Sequence, residues 1–200
     1  MLVLAHGAGA AMDSPWLDRF AALLAEPARG IRVARFEFAY MAARRSGTRK
    51  PPPRAETLRG EYREAVAAAT DAAGAPVVIG GKSMGGRVAS LVADELHAEG
   101  AVSGLAVLGY PFHPPGSPEK LRTAHLEHLE TPTLICQGSR DPFGTREEVP
   151  GYALSPAVRI LWLDDGEHEL KPRVKISGHT HAEHLATAAD AVAAFVKHPR

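Results

Sequence analysis

The segment that most constrains the fold joins a short apolar run to an alanine-rich helical pattern through a serine flanked by glycines. Residues 77–79 are β-branched and predict a buried strand. Apolar side chains then recur at helical spacing, at Val88, Leu91, Val92 and Leu96. The chain must reverse between the strand and the helix, and this places Ser83 at the apex of a tight turn.

Positions 81–85 read Gly-Lys-Ser-Met-Gly, the Gly-x-Ser-x-Gly pattern of a nucleophile elbow in its strand–turn–helix context. Side chains at Gly81 and Gly85 would collide with the neighbouring strand and helix. The apex exposes the Ser83 hydroxyl, and the first backbone N–H groups of the helix would point at an oxyanion beside it. The pattern therefore predicts a serine nucleophile.

The segment has two other interpretations. The letters Gly-Lys-Ser also end a phosphate-binding loop, Gly-x-x-x-x-Gly-Lys-Ser/Thr. The first glycine of that loop would fall on Pro76, and the intervening residues are strand-like, so a phosphate-binding loop is disfavoured. A glycine-rich turn with an idle serine has to be judged from the rest of the chain.

Composition limits the function classes. The 200 residues fit one domain, residues 1–200, and can bury a sizeable core. Because 23 Lys and Arg balance 23 Asp and Glu, neither nucleic acid nor an anionic membrane is the expected partner. The single cysteine, Cys136, excludes an intrachain disulfide and lies in an apolar run, which indicates a buried thiol. With no long apolar run and a chain that opens on a strand, we expect neither a membrane span nor a signal peptide, and a cytoplasmic location.

Six short apolar segments predict strands that alternate with helices. The predicted strands are residues 2–5, 31–38, 77–79, 105–108, 132–136 and 159–163. The predicted helices are residues 15–26, 55–73, one after the elbow, a short one at 118–126, and 181–196. Strands that are apolar on both faces indicate a parallel sheet covered by helices on both sides, an α/β fold.

The polar residues that stand out follow the carboxyl ends of predicted strands, where such sheets collect their functional groups. Ser83, Asp141 and His168 each lie just past a strand, in the chain order Ser, Asp, His. A serine hydroxyl needs a base to take its proton, and the base needs a carboxylate to fix its tautomer. We therefore predict Ser83 as nucleophile, His168 as base and Asp141 as the orienting carboxylate, which disfavours the idle serine.

Alternatives exist for two of these roles. Asp164 and Asp165 compete with Asp141, although they lie on the same predicted loop as His168 and a supporting carboxylate normally comes from the adjacent strand. His179, His181 and His184 compete with His168 as the base. Together with Glu183 these three histidines also resemble a metal-binding spacing, but a solvated start of the last helix is the favoured interpretation, and no metal is predicted.

An oxyanion hole needs two N–H donors. We predict Met84, the residue after the nucleophile, and Ala8, in the turn after the first strand. That turn half resembles the Gly-x-Gly-x-x-Gly dinucleotide fingerprint, but Met12 stands at the third glycine position. No cofactor is therefore expected.

Four motifs in order resemble a known family: His-Gly-Ala-Gly at 6–9, Gly-Lys-Ser-Met-Gly at 81–85, Gly-Ser-Arg-Asp-Pro at 138–142 and Asp-Gly-Glu-His at 165–168. They are similar to a compact, dienelactone-hydrolase-like branch of the α/β-hydrolase superfamily, which also resembles a subunit of animal chromatin-acetylation complexes. The resemblance implies an α/β-hydrolase fold with a minimal six-stranded, mostly parallel sheet in the order 2-1-3-4-5-6 and no lid domain. Dienelactone hydrolases use a cysteine nucleophile, whereas this chain has Ser83.

The sequence predicts a serine hydrolase that cleaves a small ester, thioester or lactone, because a site without a lid should be shallow. The alternative is a non-catalytic scaffold of the same fold that binds a protein or peptide, as the animal relatives suggest. Residues 41–54 are expected to form a loop. Its basic part at 44–54, with Arg44, Arg45, Arg49, Lys50 and Arg54, could steer anions. Lys82 and Arg87 flank the nucleophile and could contact an anionic substrate. The oligomeric state stays open.

Overall fold

The computed structural model describes residues 1–48 and 50–200, so Arg49 of the predicted basic loop lies outside the described residues. Six strands form one sheet. They are β1 Leu2–Ala5, β2 Val33–Phe36, β3 Val77–Lys82, β4 Val102–Leu108, β5 Thr133–Gly138 and β6 Val158–Leu163. The spatial order is β2-β1-β3-β4-β5-β6, and every neighbouring pair is parallel. The predicted fold class and strand order are confirmed.

Seven α-helices connect and cover the strands. They are α1 Pro15–Ala25, α2 Ala39–Arg45, α3 Arg59–Ala73, α4 Met84–Ser90, α5 Ala93–Ala98, α6 Val174–Ser177 and α7 His181–Lys197 in the described chain. A 3₁₀ turn at Ala55–Leu58 leads into α3. Between β4 and β5 the described chain forms only a 3₁₀ turn, Ala124–Leu126, so no lid is inserted there.

Apolar side chains of the strands alternate between the two faces of the sheet, and each face has its own core. Ile79 packs with Tyr62 of α3 and Val88 of α4 on one face. Its neighbour Val78 packs on the other face in the core that contains Phe20 of α1 and Leu185 of α7. This arrangement explains why the strand sequences are continuously apolar, because both faces are covered.

The predicted loop at 41–54 is wrong in its first part, because residues Ala39–Arg45 form α2. The helix is anchored by Tyr40 and Met41, which are both buried. Its last residue, Arg45, pairs with Glu37 at 2.7 Å and Asp13 at 2.9 Å. Tertiary burial of these two apolar residues outweighs a local sequence dominated by arginine and proline.

Other element boundaries differ by a few residues from the sequence prediction. The second strand is limited to Val33–Phe36, and the predicted helix at 118–126 is reduced to the turn Ala124–Leu126. The single helix expected after the elbow is divided into α4 and α5 by Leu91 and Val92. No helix in the described ranges has both the length and the apolar character needed to cross a membrane.

Candidate active site

Ser83 lies between the end of β3 and the start of α4, with φ 52° and ψ −118°. A positive φ is strained for a residue with a side chain, and such strain concentrates at functional turns. A Cβ at Gly81 would lie 2.5 Å from the carbonyl carbon of Gly85, and one at Gly85 would lie 2.5 Å from the His6 carbonyl oxygen. The turn therefore needs both glycines, as the sequence predicts, and it presents the serine at the carboxyl edge of the sheet.

His168 follows β6 and reaches the serine across the sheet edge. Its Nε2 lies 2.8 Å from Ser83 Oγ, and its Nδ1 lies 2.9 Å from Asp141 Oδ2. Because a carboxylate only accepts hydrogen bonds, Nδ1 carries the proton and Nε2 is free to accept one from the serine hydroxyl. The Phe143 ring packs against the imidazole with 4.2 Å between the ring centroids, which limits the orientation of His168.

Asp141 is fully buried, and each of its carboxylate oxygens is held by hydrogen bonds. Oδ1 accepts a hydrogen bond from the Phe143 N–H at 2.9 Å. Oδ2 accepts one from Gln137 Nε2 at 3.0 Å, in addition to the contact with His168. A buried charge needs such partners, and they fix the carboxylate in the orientation that meets the imidazole.

The competing carboxylates are placed elsewhere. Asp165 forms an ion pair with Arg173, and this guanidinium lowers the pKa of Asp165 to about 2. Its backbone has φ 53° and its carboxylate also lies 3.4 Å from Arg140. Asp164 is exposed to solvent. Only Asp141, of these three carboxylates, contacts His168 in the described structure.

The competing histidines lie at or just before the start of α7, and His181 and His184 anchor the chain that carries His168. His181 Nε2 lies 2.9 Å from the Glu169 carbonyl oxygen, and His184 Nδ1 lies 3.0 Å from that of Leu170. The rings of His179 and His184 are 5.3 Å apart. Among the described residues, no group of three or more His, Cys, Asp or Glu side chains is arranged to hold a metal ion.

The turn after β1 brings Ala8 to the same edge as Ser83 and Met84, and these three residues line one cavity. Met84 is the first residue of α4, so its N–H has no acceptor within the helix. The carbonyl of Ala8 accepts a hydrogen bond from the Tyr40 hydroxyl at 3.0 Å, which ties the turn to α2. Both predicted oxyanion donors are thus next to the nucleophile.

His6 supports this turn from below and is fully buried. Its Nε2 accepts a hydrogen bond from the Phe38 N–H at 3.1 Å, so Nδ1 carries the proton and donates to the Gly7 carbonyl at 2.7 Å. Burial lowers the pKa of His6, which keeps the ring neutral and preserves this pair of hydrogen bonds. The sequence motif contained His6 but gave no reason to assign it this role.

Two cavities flank Ser83. The first, here called the histidine-side cavity, has a volume of about 350 Å³ and is lined by His168, Lys82, Trp16 and Glu169 together with the serine. The second, here called the arginine pocket, has a volume of about 400 Å³. Its lining includes Ser83 and the following residues: Ala8, Met84, Arg54, Glu56, Arg87 and Arg122.

The two cations that flank the nucleophile differ in their surroundings. Lys82 is nearly buried, and its Nζ forms an ion pair with Glu169 at 2.6 Å and lies 5.5 Å from the Trp16 ring centroid. It therefore forms part of the wall of the histidine-side cavity. Arg87 points to the other side, into the arginine pocket.

The family comparison agrees with this geometry. The family described as an alpha/beta hydrolase domain matches residues 1–197. The chain belongs to the α/β-hydrolase family. The predicted superfamily is confirmed, and membership supports a hydrolase in general terms. No curated protein matches the sequence significantly.

Solved structures share the fold of this α/β hydrolase. A dienelactone hydrolase from Anabaena variabilis is 21% identical, with a TM-score of 0.71, over 100% of this chain and 86% of the other. A hydrolase of the α/β superfamily from Xanthomonas campestris is 22% identical, with a TM-score of 0.61, over 98% and 97% of the two chains. An esterase domain from Rhodothermus marinus is 17% identical, with a TM-score of 0.64, over 97% and 85%. At these identities the similarity to the three structures, one of them a dienelactone hydrolase, establishes a shared fold.

Proposed function

We propose that this α/β hydrolase is a serine hydrolase that cleaves a small ester, thioester or lactone through an acyl-enzyme on Ser83. The observation that carries the proposal is the continuous hydrogen-bonded series from Ser83 Oγ to His168 Nε2 and from His168 Nδ1 to Asp141 Oδ2, at 2.8 and 2.9 Å. This arrangement matches the roles of nucleophile, base and orienting carboxylate.

In the first half of the reaction, Ser83 Oγ attacks the carbonyl carbon while His168 Nε2 takes the hydroxyl proton. The N–H groups of Ala8 and Met84 stabilise the negative charge on the carbonyl oxygen. The tetrahedral intermediate collapses, His168 gives its proton to the leaving oxygen or sulfur, and the acyl group stays on Ser83. Asp141 remains ionised and stabilises the imidazolium.

In the second half, a water molecule gives its proton to His168 and attacks the acyl-enzyme. The acid is released as His168 returns the proton to Ser83 Oγ. These steps need no cofactor or metal. The two cavities that flank Ser83, of about 350 and 400 Å³, support substrates with short limbs on each side of the scissile bond. We place this reaction in a single catalytic domain, residues 1–200, and expect a cytoplasmic location, as the sequence predicts.

The proposal predicts that a fluorophosphonate probe labels the wild-type protein and that Ser83→Ala abolishes the labelling. Ser90→Ala is the matched control, because Ser90 also has its Oγ 2.8 Å from a histidine nitrogen, His125 Nε2, but is buried at the C-terminal end of α4. Labelling of Ser90→Ala should equal that of the wild type. Labelling that persists in Ser83→Ala would assign the nucleophile to another residue. A wild-type protein that stays unlabelled and inactive on ester, thioester and lactone panels would favour the non-catalytic scaffold.

A further inference from the structure

The lining of the arginine pocket has an excess of positively charged residues over negatively charged ones. Three arginines, Arg54, Arg87 and Arg122, line it together with one acidic residue, Glu56. The chain as a whole has no net charge, so this excess is local. A cleft lined by charges of one sign concentrates ligands of the opposite sign.

Only one of these arginines has a carboxylate partner among the described residues. Arg87 forms an ion pair with Glu56, and its side chain is only 17% exposed. Arg122 is partly buried, and no acidic side chain of the described chain pairs with it. Arg54 is exposed at the rim.

Arg122 and Arg87 are also held close enough to affect each other. Burial and then the positive charge of Arg87 lower the pKa of Arg122. Two like charges in a partly desolvated cleft repel each other, and an anion placed between them would relieve this repulsion and replace lost hydration. Arg122, which has no acidic partner among the described residues, lines the same cavity as Ser83.

The position of the base indicates which limb of a substrate would enter the pocket. His168 must protonate the leaving group, so the leaving group departs on the side of the imidazole. His168 lines the histidine-side cavity, and in the described structure it does not line the arginine pocket. The acyl limb is thus the one that extends over Met84 toward the arginines.

We propose that the arginine pocket binds a carboxylate at the far end of the acyl chain, so that the preferred substrates are monoesters or monothioesters of short dicarboxylic acids. This inference rests on the proposed serine hydrolase function and specifies which acyl groups the enzyme prefers. Arg122 is the specificity-determining residue, since it offers the planar set of donors that a carboxylate fits. Arg87 lies about one helical turn after Ser83, roughly 6 Å along the axis of α4. This distance suits an acyl chain of a few carbons.

The test compares two esters with the same leaving group, mono-p-nitrophenyl glutarate and p-nitrophenyl valerate, which have acyl chains of similar length with and without a terminal carboxylate. For the wild type, kcat/KM should be at least about tenfold higher for the glutarate ester, as one charge-assisted contact would give. In Arg122→Gln this preference should fall to about twofold or less. Arg159→Gln is the control, because it removes the same charge from an exposed position at the opposite edge of the sheet. It should keep the wild-type preference.

A wild type that hydrolyses valerate and glutarate esters equally would overturn the inference while leaving the serine hydrolase function intact. An equal loss of preference in Arg122→Gln and Arg159→Gln would also overturn it, because general electrostatic attraction would then explain the preference. If neither ester is cleaved, it is the proposed function that fails. Should Arg122→Gln not fold, inhibition of the wild type decides the matter: glutaramate, which has a terminal carboxylate, should inhibit at least tenfold more strongly than valeramide, which has none, and equal inhibition would contradict the pocket.

Discussion

At the scale of single residues, Gln137 supports the candidate active site, a role that its sequence context does not reveal. Its side chain is fully buried at the end of β5. Its Oε1 accepts a hydrogen bond from the Tyr110 N–H at 2.7 Å, and its Nε2 donates to Asp141 Oδ2 at 3.0 Å. Gln137 therefore ties the strand end to the carboxylate that orients His168.

Gln137→Leu should lower both stability and catalysis. The Tyr110 N–H and Asp141 would each lose a buried partner, and such a loss costs about 1–3 kcal/mol in the free energy of unfolding. Because Asp141 would be held less firmly, kcat should fall at least tenfold. Urea unfolding and ester hydrolysis measure the two effects.

Thr133→Val is the control for this substitution, since Thr133 is buried at the other end of β5 and donates to the Thr131 carbonyl at 2.8 Å. It should lower stability by about 1 kcal/mol with kcat unchanged. A folded Gln137→Leu protein with the kcat of the wild type would show that Asp141 does not need this support.

At the scale of elements, the elbow depends on close contact between α4 and the strands below it. A Cβ at Gly85 would approach backbone atoms of Ala5 and His6 at 2.5–2.9 Å. Backbone atoms cannot yield as a flexible side chain can, so α4 would have to shift away from β1. These two elements position the predicted oxyanion donors, since Ala8 lies in the turn after β1 and Met84 is the first residue of α4.

Gly85→Ala should therefore reduce the free energy of unfolding by several kcal/mol, beyond the roughly 1–3 kcal/mol of ordinary overpacking. Gly60→Ala makes the same chemical change on α3, where no other atom lies within 4 Å of the new Cβ. It should be neutral or stabilise the protein by up to about 1 kcal/mol. Thermal unfolding of the pair measures the difference, and equal melting temperatures would contradict the tight packing of α4.

The elements were predicted well where their sequence pattern is strong and poorly where tertiary contacts decide. The six strands are short apolar runs bounded by turn residues, and all six were found. Helix α2 was missed because its only apolar residues, at 39–43, precede an arginine-rich stretch, and their burial is visible only in the fold. The helix expected at 118–126 has no apolar face to bury beyond Leu126.

At the scale of the whole molecule, a buried histidine, His6, and a half-buried one, His125, make stability depend on pH. Burial lowers the pKa of His6, and burial together with the charge of Arg87 lowers the pKa of His125 to about 4. In the unfolded chain both residues titrate near pH 6.5. Below that pH the unfolded state binds protons that the native state does not, so acid favours unfolding.

We therefore expect the free energy of unfolding to decrease as the pH falls from about 6.5 toward 4, with each histidine contributing at most about 1.4 kcal/mol per pH unit. His125→Gln should make this dependence shallower, because glutamine does not titrate. Its side-chain amide can still donate a hydrogen bond to Ser90 Oγ, which lies 2.8 Å from His125 Nε2, so the fold should be kept. Urea unfolding at pH 7, 6, 5 and 4 measures it. Identical pH dependences for the wild type and His125→Gln would contradict this role of His125.

The amino-acid sequence is enough to predict the order of the elements, the need for glycines at the elbow, and Ser83, Asp141 and His168 as candidate site residues. These features follow from local rules: hydrophobic period, turn sterics and the tendency of parallel strands to end at a common edge. The sequence favours Asp141 over Asp165 only by a general rule, whereas the contact with the imidazole depends on the partners that folding brings to each carboxylate. The arginine pocket was decided in the same way, since its three cations come from separate parts of the chain and their proximity depends on long-range packing.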